Sequence, residues 1–260
     1  MVLASFVIAF FLKDKPDGSV YSAVSNPDEF HVTPSLSQGI GLFQALLLPN
    51  VIPYCLCNGC LKLVNYAFFF WLPYYMTTQY GWTEAGANYV AAFYDVGGII
   101  GSLVGGIISD RMGSRSPVVV IMLVLSLGSL FLFTEAGGGV LLNVLLMAMV
   151  GLTISGPYNL IVSTISIDLG SQSVLSGNAK AMATVSGLID GTGSIGSAAG
   201  QLIVPIIQNV FGWNTVFYLF VLLNGIAILC LTPKFLVDVG FLPTRRLHRR
   251  ESEPLLSTAD

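Results

Sequence analysis

Six stretches of this chain are long and apolar enough to cross a lipid bilayer, and that constrains its fold more than any other feature. A spanning helix needs about 20 mostly apolar residues. The windows that qualify are 50–76, 89–109, 117–134, 140–163, 183–208 and 214–232. In hydrocarbon no water is present to satisfy a backbone N–H or C=O, so such segments must be helices. Charge supports lipid as the solvent. Only 10% of residues are charged, against about 25% in soluble domains. The net charge of -3 offers no basic face to nucleic acid. The expected class is all-α membrane.

The polar intervals give the expected orientation. Lys13 and Lys15 precede the first full span, Arg111 and Arg115 separate the second from the third, and Lys180 separates the fourth from the fifth. Lys234, Arg245, Arg246, Arg249 and Arg250 follow the sixth. With six crossings these segments share one face, while the intervals Thr77–Asn88, Glu135–Gly139 and Asn209–Asn214 contain no Lys or Arg. The positive-inside rule then places the basic face, and both chain ends, in the cytosol. Val2–Leu12 is apolar but too short to span. It lacks the basic start and small-residue cleavage site of a signal peptide, so it is read as the tail of a helix. Residues 13–38 are read as a polar linker, 39–235 as the bundle and 236–260 as a cytosolic tail.

An ionisable group within a membrane helix is costly unless paired or hydrated, which makes each one a functional candidate. Three qualify: Lys62, Asp95 and Asp190. Lys62 falls near the middle of its span, with Asn65 and Tyr66 about one turn away. Its ammonium, an amide and a phenol suit an anion such as phosphate; a structural ion pair or a lysine snorkelling to the surface are the alternatives. Asp190 falls at similar depth and is expected either to pair with Lys62 when no substrate is bound, to be protonated during the cycle, or to bond a neighbouring helix. Asp95, nearer the other end of its span where water reaches, is read as structural or gating ahead of ligand-binding. Gly156-Pro157 interrupts the fourth span beside Tyr158 and Asn159; such a break kinks a helix and often lines a transport cavity. Glycines recur every four residues at Gly97, Gly101 and Gly105, and again at Gly187–Gly191 and Gly196–Gly200. These ridges permit close packing, or rocking of helices past one another.

Other motifs carry less. Cys57-Asn58-Gly59-Cys60 has redox or zinc spacing but no second ligand pair, and only two histidines occur in the chain. The Gly191–Gly196 run lacks the strand and the Gly-Lys-Ser/Thr ending of a nucleotide loop. No hydrolytic constellation is visible, so the chain is not expected to be an enzyme, and no cofactor or metal is expected.

Two sets of residues carry a resemblance. Gly106-Ile107-Ile108-Ser109-Asp110-Arg111-Met112-Gly113-Ser114-Arg115 resembles the G-x-x-x-D-R-x-G-x-R signature of the major facilitator superfamily, whose acid and bases form charge networks that latch one face shut. This assigns Asp110, Arg111 and Arg115 to gating, a role that Asp95 shares on its position alone. Lys62-Leu63-Val64-Asn65-Tyr66 with Trp71-Leu72-Pro73, Tyr94–Gly101, Gly156-Pro157-Tyr158, Asp168-Leu169-Gly170 and Asp190–Gly196 together look like the eukaryotic sugar-phosphate exchangers of the organophosphate:phosphate antiporter branch. The match runs from about Gln44 to Tyr218. The resemblance implies the C-terminal six-helix half of a major facilitator superfamily transporter, with residues 1–12 as the end of helix 6 and the six spans as helices 7–12. It implies exchange of a phosphate ester against inorganic phosphate by alternating access. Bacterial relatives grip phosphate with a base on helix 7, and on that face this chain has Lys62.

The expected partners are therefore a phosphate ester, inorganic phosphate, membrane lipids and the missing N-terminal half. The candidate substrate-binding residues are Lys62, Asn65, Tyr66, Tyr158, Asn159 and Asp190. Alternatives are a truncated, non-transporting isoform that binds membrane proteins through its glycine faces, or a carrier of neutral or cationic solutes. Glu251-Ser252-Glu253-Pro254-Leu255-Leu256 fits an acidic dileucine signal for endosomes or lysosomes. The preceding Arg245–Arg250 cluster could instead hold the protein in the endoplasmic reticulum or bind anionic lipid.

Overall fold

The computed structural model describes residues 40–135, 137, 139–165, 169 and 179–240. Residues 1–39, most of the Asp168-Leu169-Gly170 motif and the tail from 241, with its dileucine and arginine motifs, lie outside the described residues. Among the described residues the chain is helical: α1 (Leu42–Leu46), α2 (Val51–Tyr80), α3 (Glu84–Met112), α4 (Ser116–Thr134), α5 (Val140–Leu160), α6 (Ala179–Phe211) and α7 (Trp213–Asp238). A π-helical turn, Ile161–Ile165, prolongs α5 just beyond Pro157. Helices α2 to α7 are the six expected spans, each long and apolar enough to cross a membrane.

The helices overrun the apolar windows. The expected loop Thr77–Asn88 shrinks to Gly81–Thr83, and Asn209–Asn214 shrinks to Gly212. The cause lies in the caps, which hydropathy does not register. Gly81 ends α2 in the left-handed conformation at φ 65°. Thr83 starts α3 by accepting from the Gly86 N–H at 3.3 Å, with Glu84 in the first turn where the helix dipole favours an acid. At the other end, Arg111 lies in the last turn of α3 and Lys234 near the end of α7 rather than in loops. Apart from Lys62, the described basic residues still occupy one end of the bundle, at the finish of α3 and α7 and the start of α4 and α6. We call this the basic end. Tyr74, Tyr75, Tyr80, Trp82 and Trp213 gather at the opposite end, the level where amphipathic rings favour a membrane interface.

Two close helix pairs organise the bundle. In α3 and α5, Gly97 and Gly101 sit against the Ala148 and Leu152 backbone, and Gly151 sits against the Tyr94 carbonyl. A methyl at any of the three would overlap the facing carbonyl, so glycine is what lets these backbones touch. In α2 and α6, Gly196 meets the Gly59 carbonyl, and Gly200 seats the Leu63 side chain. The ridge at Gly187 and Gly191 differs, because a side chain there would meet nothing among the described residues within 4 Å. Helix packing therefore accounts for the first and last ridges and leaves this one facing open space.

The buried apolar residues form two clusters. One, toward the basic end, includes Tyr54, Leu61, Leu123, Ile161 and Ile189. The other is strongly aromatic and includes Phe68, Tyr75, Phe133, Trp213 and Phe217. Leu61 belongs to the first and Leu63 to the second, so Lys62 sits where the two cores meet.

Candidate functional site

Lys62 is the twelfth residue of α2, and Asp190 is the twelfth of α6. Three intervening spans make α2 and α6 run in the same direction, so equal counts from the basic end place both at the same depth. The two side chains meet there. Lys62 Nζ lies 2.6 Å from Asp190 Oδ1, donates to Ser194 Oγ at 3.0 Å and reaches the Asp190 carbonyl at 3.4 Å. An ammonium has three donors, and these acceptors occupy them all. Ser194 Oγ in turn donates to the Asp190 carbonyl at 3.0 Å. The Tyr66 ring centroid lies 5.8 Å from Nζ, within cation–π range.

Burial within the pair is unequal. The Lys62 side chain is 7% exposed and that of Asp190 is 51%. The cation is fixed in the protein while its carboxylate partner stands at the open face of α6.

Glycine makes the close approach possible. A Cβ at Gly193 would lie 2.5 Å from Asn58 Nδ2 and 2.8 Å from Lys62 Cδ. Asn58, one turn before Lys62 and fully buried, donates to the Ile189 carbonyl at 2.8 Å. Lys62 and Asn58 thus dock on consecutive carbonyls of α6 across a notch cut by Gly193. Neither Ser194, Asn58 nor Gly193 emerged from the sequence as a site residue. The spacing Asp190–Ser194, four residues on one helix face, was the available signal for Ser194.

The remaining candidates divide. Tyr158, half-buried on α5, lies within interaction range of Tyr66 and the Asp190 carboxylate. Asn65 faces α3, where its Oδ1 accepts from the Tyr94 hydroxyl at 2.5 Å; it ties α2 to α3 and stands away from the ammonium. Asn159 is half-buried, and its carbonyl accepts from Ser163 Oγ at 2.5 Å. Its side chain makes no hydrogen bond to the lysine cluster. Asp95 is exposed on α3 beside a cleft, remote from the other gating candidates.

At the basic end Arg115 Nη2 lies 3.6 Å from Asp110 Oδ1, a loose pair with Asp110 largely exposed. Gly113 closes α3 at φ 70°, a conformation that favours glycine. Arg111 is exposed in the last turn. A polar hollow of about 550 Å³ extends from this turn to the end of α7. There Asp238 pairs with Lys234 at 2.9 Å and accepts from Ser116 Oγ at 2.6 Å. The sequence reading missed this extension, because Asp238 lies beyond the apolar window and reads as tail.

A bundle of six apolar spans, with a charge pair at mid-depth and a charged turn at one end, defines a multi-pass integral membrane protein. The chain belongs to the Major Facilitator Superfamily, whose profile it matches over residues 1–197. It is 46% identical to sugar phosphate exchanger 3 of Gallus gallus over 218 residues, which is 84% of this chain and 43% of that one. It is 45% identical to sugar phosphate exchanger 3 of Homo sapiens over 209 residues, 80% of this chain and 42% of the other. To the glucose-6-phosphate exchanger SLC37A2 of Bos taurus it is 38% identical over 216 residues, 83% of this chain and 43% of the other. The chain spans a little under half the length of the curated relatives it matches.

Proposed function

We propose that this chain carries one half of the substrate path of a sugar-phosphate transporter, and that the whole carrier exchanges a phosphate ester for inorganic phosphate by alternating access. The observation that carries the proposal is the buried Lys62 ammonium at mid-depth, whose charge partner sits on the open face. In the empty state Asp190 and Ser194 hold the ammonium. A phosphate entering between the halves takes the place of the carboxylate, supplying more negative charge and more acceptor oxygens than Asp190 does. When it leaves, Asp190 returns, and Lys62 is never left as an isolated charge in the membrane. Tyr66 and Tyr158 border this position, and Asn65 holds α2 to α3 beside it. Asn159, two residues beyond Pro157 on α5, lines the path next to Tyr158.

On the same reading the basic end faces the cytosol, and both chain ends lie there, in an endoplasmic reticulum or endolysosomal membrane. Asp110, Arg111 and Arg115 latch that face when the carrier opens to the other side. The N-terminal six helices supply the opposite wall and a second phosphate-binding base, and membrane lipids cover the outer faces. The names of the relatives support the substrate class, since each is called an exchanger of a sugar phosphate or of glucose 6-phosphate.

The test is reconstitution of this chain with its N-terminal half in liposomes preloaded with phosphate. Labelled hexose 6-phosphate should enter only when phosphate is inside, and Lys62→Ala should abolish entry. Uptake that ignores internal phosphate would overturn the exchange mechanism. Full uptake by the mutant would remove Lys62 from it.

A second reading has one observation in its favour: the open ridge at Gly187 and Gly191 is a surface on which another membrane helix could pack. A chain that acts only as a membrane partner would show no exchange under any of these conditions.

A further inference from the structure

Between α2 and α3 lies a cleft of about 280 Å³, bordered by Phe69, Pro73, Asn88, Ala92, Tyr94 and Asp95. This is near the lower end of the roughly 300–1,000 Å³ typical of small-molecule sites. It is distinct from the lysine cluster, yet it opens on the same side of α2. Residues 62, 66, 69 and 73 fall at helical spacing on one face, and 88, 92 and 95 do the same on α3.

The polar groups bordering this cleft are chiefly hydrogen-bond acceptors. Asp95 is exposed, and its carboxylate has no ion-pair or hydrogen-bond partner among the described residues. Asn88 gives one Nδ2 hydrogen to the Glu84 carbonyl at 2.8 Å, and its Oδ1 has no partner among the described residues. Pro73 lies inside α2 and has no N–H to give to the Phe69 carbonyl, so a backbone acceptor is released on the cleft wall. The Tyr94 hydroxyl, a possible donor, is already committed to Asn65. Beside these acceptors Phe69 is 58% exposed and presents an apolar ring. A phosphate would be repelled here. A group made of hydroxyl donors on an aliphatic ring fits, because each acceptor takes an O–H while the ring's C–H face rests on the aromatic.

We infer that this cleft is the subsite for the hydroxylated part of the substrate, with Asp95 as its specificity-determining residue. The inference rests on the phosphate-ester reading above and adds the second contact point. Lys62 and Phe69 are seven residues apart, about 10 Å along the helix. A six-carbon phosphate ester, with a hydrogen bond at each end, covers that distance. Inorganic phosphate occupies only the Lys62 end, so one site accepts both exchange partners and distinguishes them through the cleft.

The experiment compares three probes in the reconstituted full carrier: inorganic phosphate, ethyl phosphate (an ester with no free hydroxyl) and a hexose 6-phosphate. Asp95→Ala should raise the half-saturating concentration of the hexose ester at least tenfold relative to the other two, as expected for lost charge-assisted hydrogen bonds. Phe69→Ala, which alters an exposed ring, should shift the same ratio in the same direction. Equal shifts for all three probes in both variants would overturn the inference, showing that the residues act on the gate or on folding. Unchanged ratios would overturn it too. If the unmutated carrier transported none of the three, the phosphate reading itself would fail, and this subsite with it.

Discussion

Gly193 and the side chains of Lys62, Asp190, Ser194 and Asn58 set the residue-scale geometry. Gly193 is the most informative, since the room that its missing Cβ leaves is filled by Lys62 and Asn58. We expect Gly193→Ala to push Lys62 off Ser194 and to raise the half-saturating phosphate concentration severalfold in the exchange assay. If phosphate handling is unchanged, the notch is not what seats the lysine. The sequence made Lys62 and Asp190 visible because an ionisable group at mid-span stands out by depth alone. It gave no comparable signal for Asn58 or Ser194. Small polar residues are ordinary in membrane helices, and only knowledge of which face meets which neighbour assigns them a partner. For the same reason Asn65 pointed toward phosphate in the sequence and toward Tyr94 in the fold.

Among the elements, α3 meets α5 backbone to backbone, whereas α2 meets α6 at Gly59 and Gly196 and also through the Asn58, Lys62 and Leu63 side chains. Gly151→Ala places a methyl onto the Tyr94 carbonyl, and overpacking of this kind costs about 1–3 kcal/mol. Thermal unfolding in detergent should show that loss, whereas Gly187→Ala, with open space around it, should be nearly neutral. Equal effects would contradict the packing. Glycine spacing in the sequence marked all the ridges alike, because a repeat of four residues says that helices can approach without saying which do. Helix ends were the other illegible feature: hydropathy measures the hydrocarbon layer, and the capping residues Gly81 and Thr83 decide where the helix stops.

For the whole molecule, the six spans and the basic end were legible because lipid imposes length and charge bias directly on the sequence. The polar hollow at that end was not, since it needs the end of α7 to return beside the α3–α4 turn. Asp238 joins Lys234 to Ser116 at the start of α4, beside Arg115. If this network belongs to the latch, Asp238→Ala should change the maximal exchange rate while the half-saturating concentrations stay together. A shift confined to one substrate would place Asp238 in recognition instead.

The central claim is that phosphate and the Asp190 carboxylate compete for one ammonium, and phosphate affinity measures it most directly. Labelled phosphate exchange should be followed for the unmutated carrier, Lys62→Ala and Asp190→Asn at equal protein density. Competition predicts no exchange without Lys62, and a lower half-saturating phosphate concentration when Asp190 loses its charge. Weaker phosphate binding in Asp190→Asn, or exchange that survives in Lys62→Ala, would contradict it.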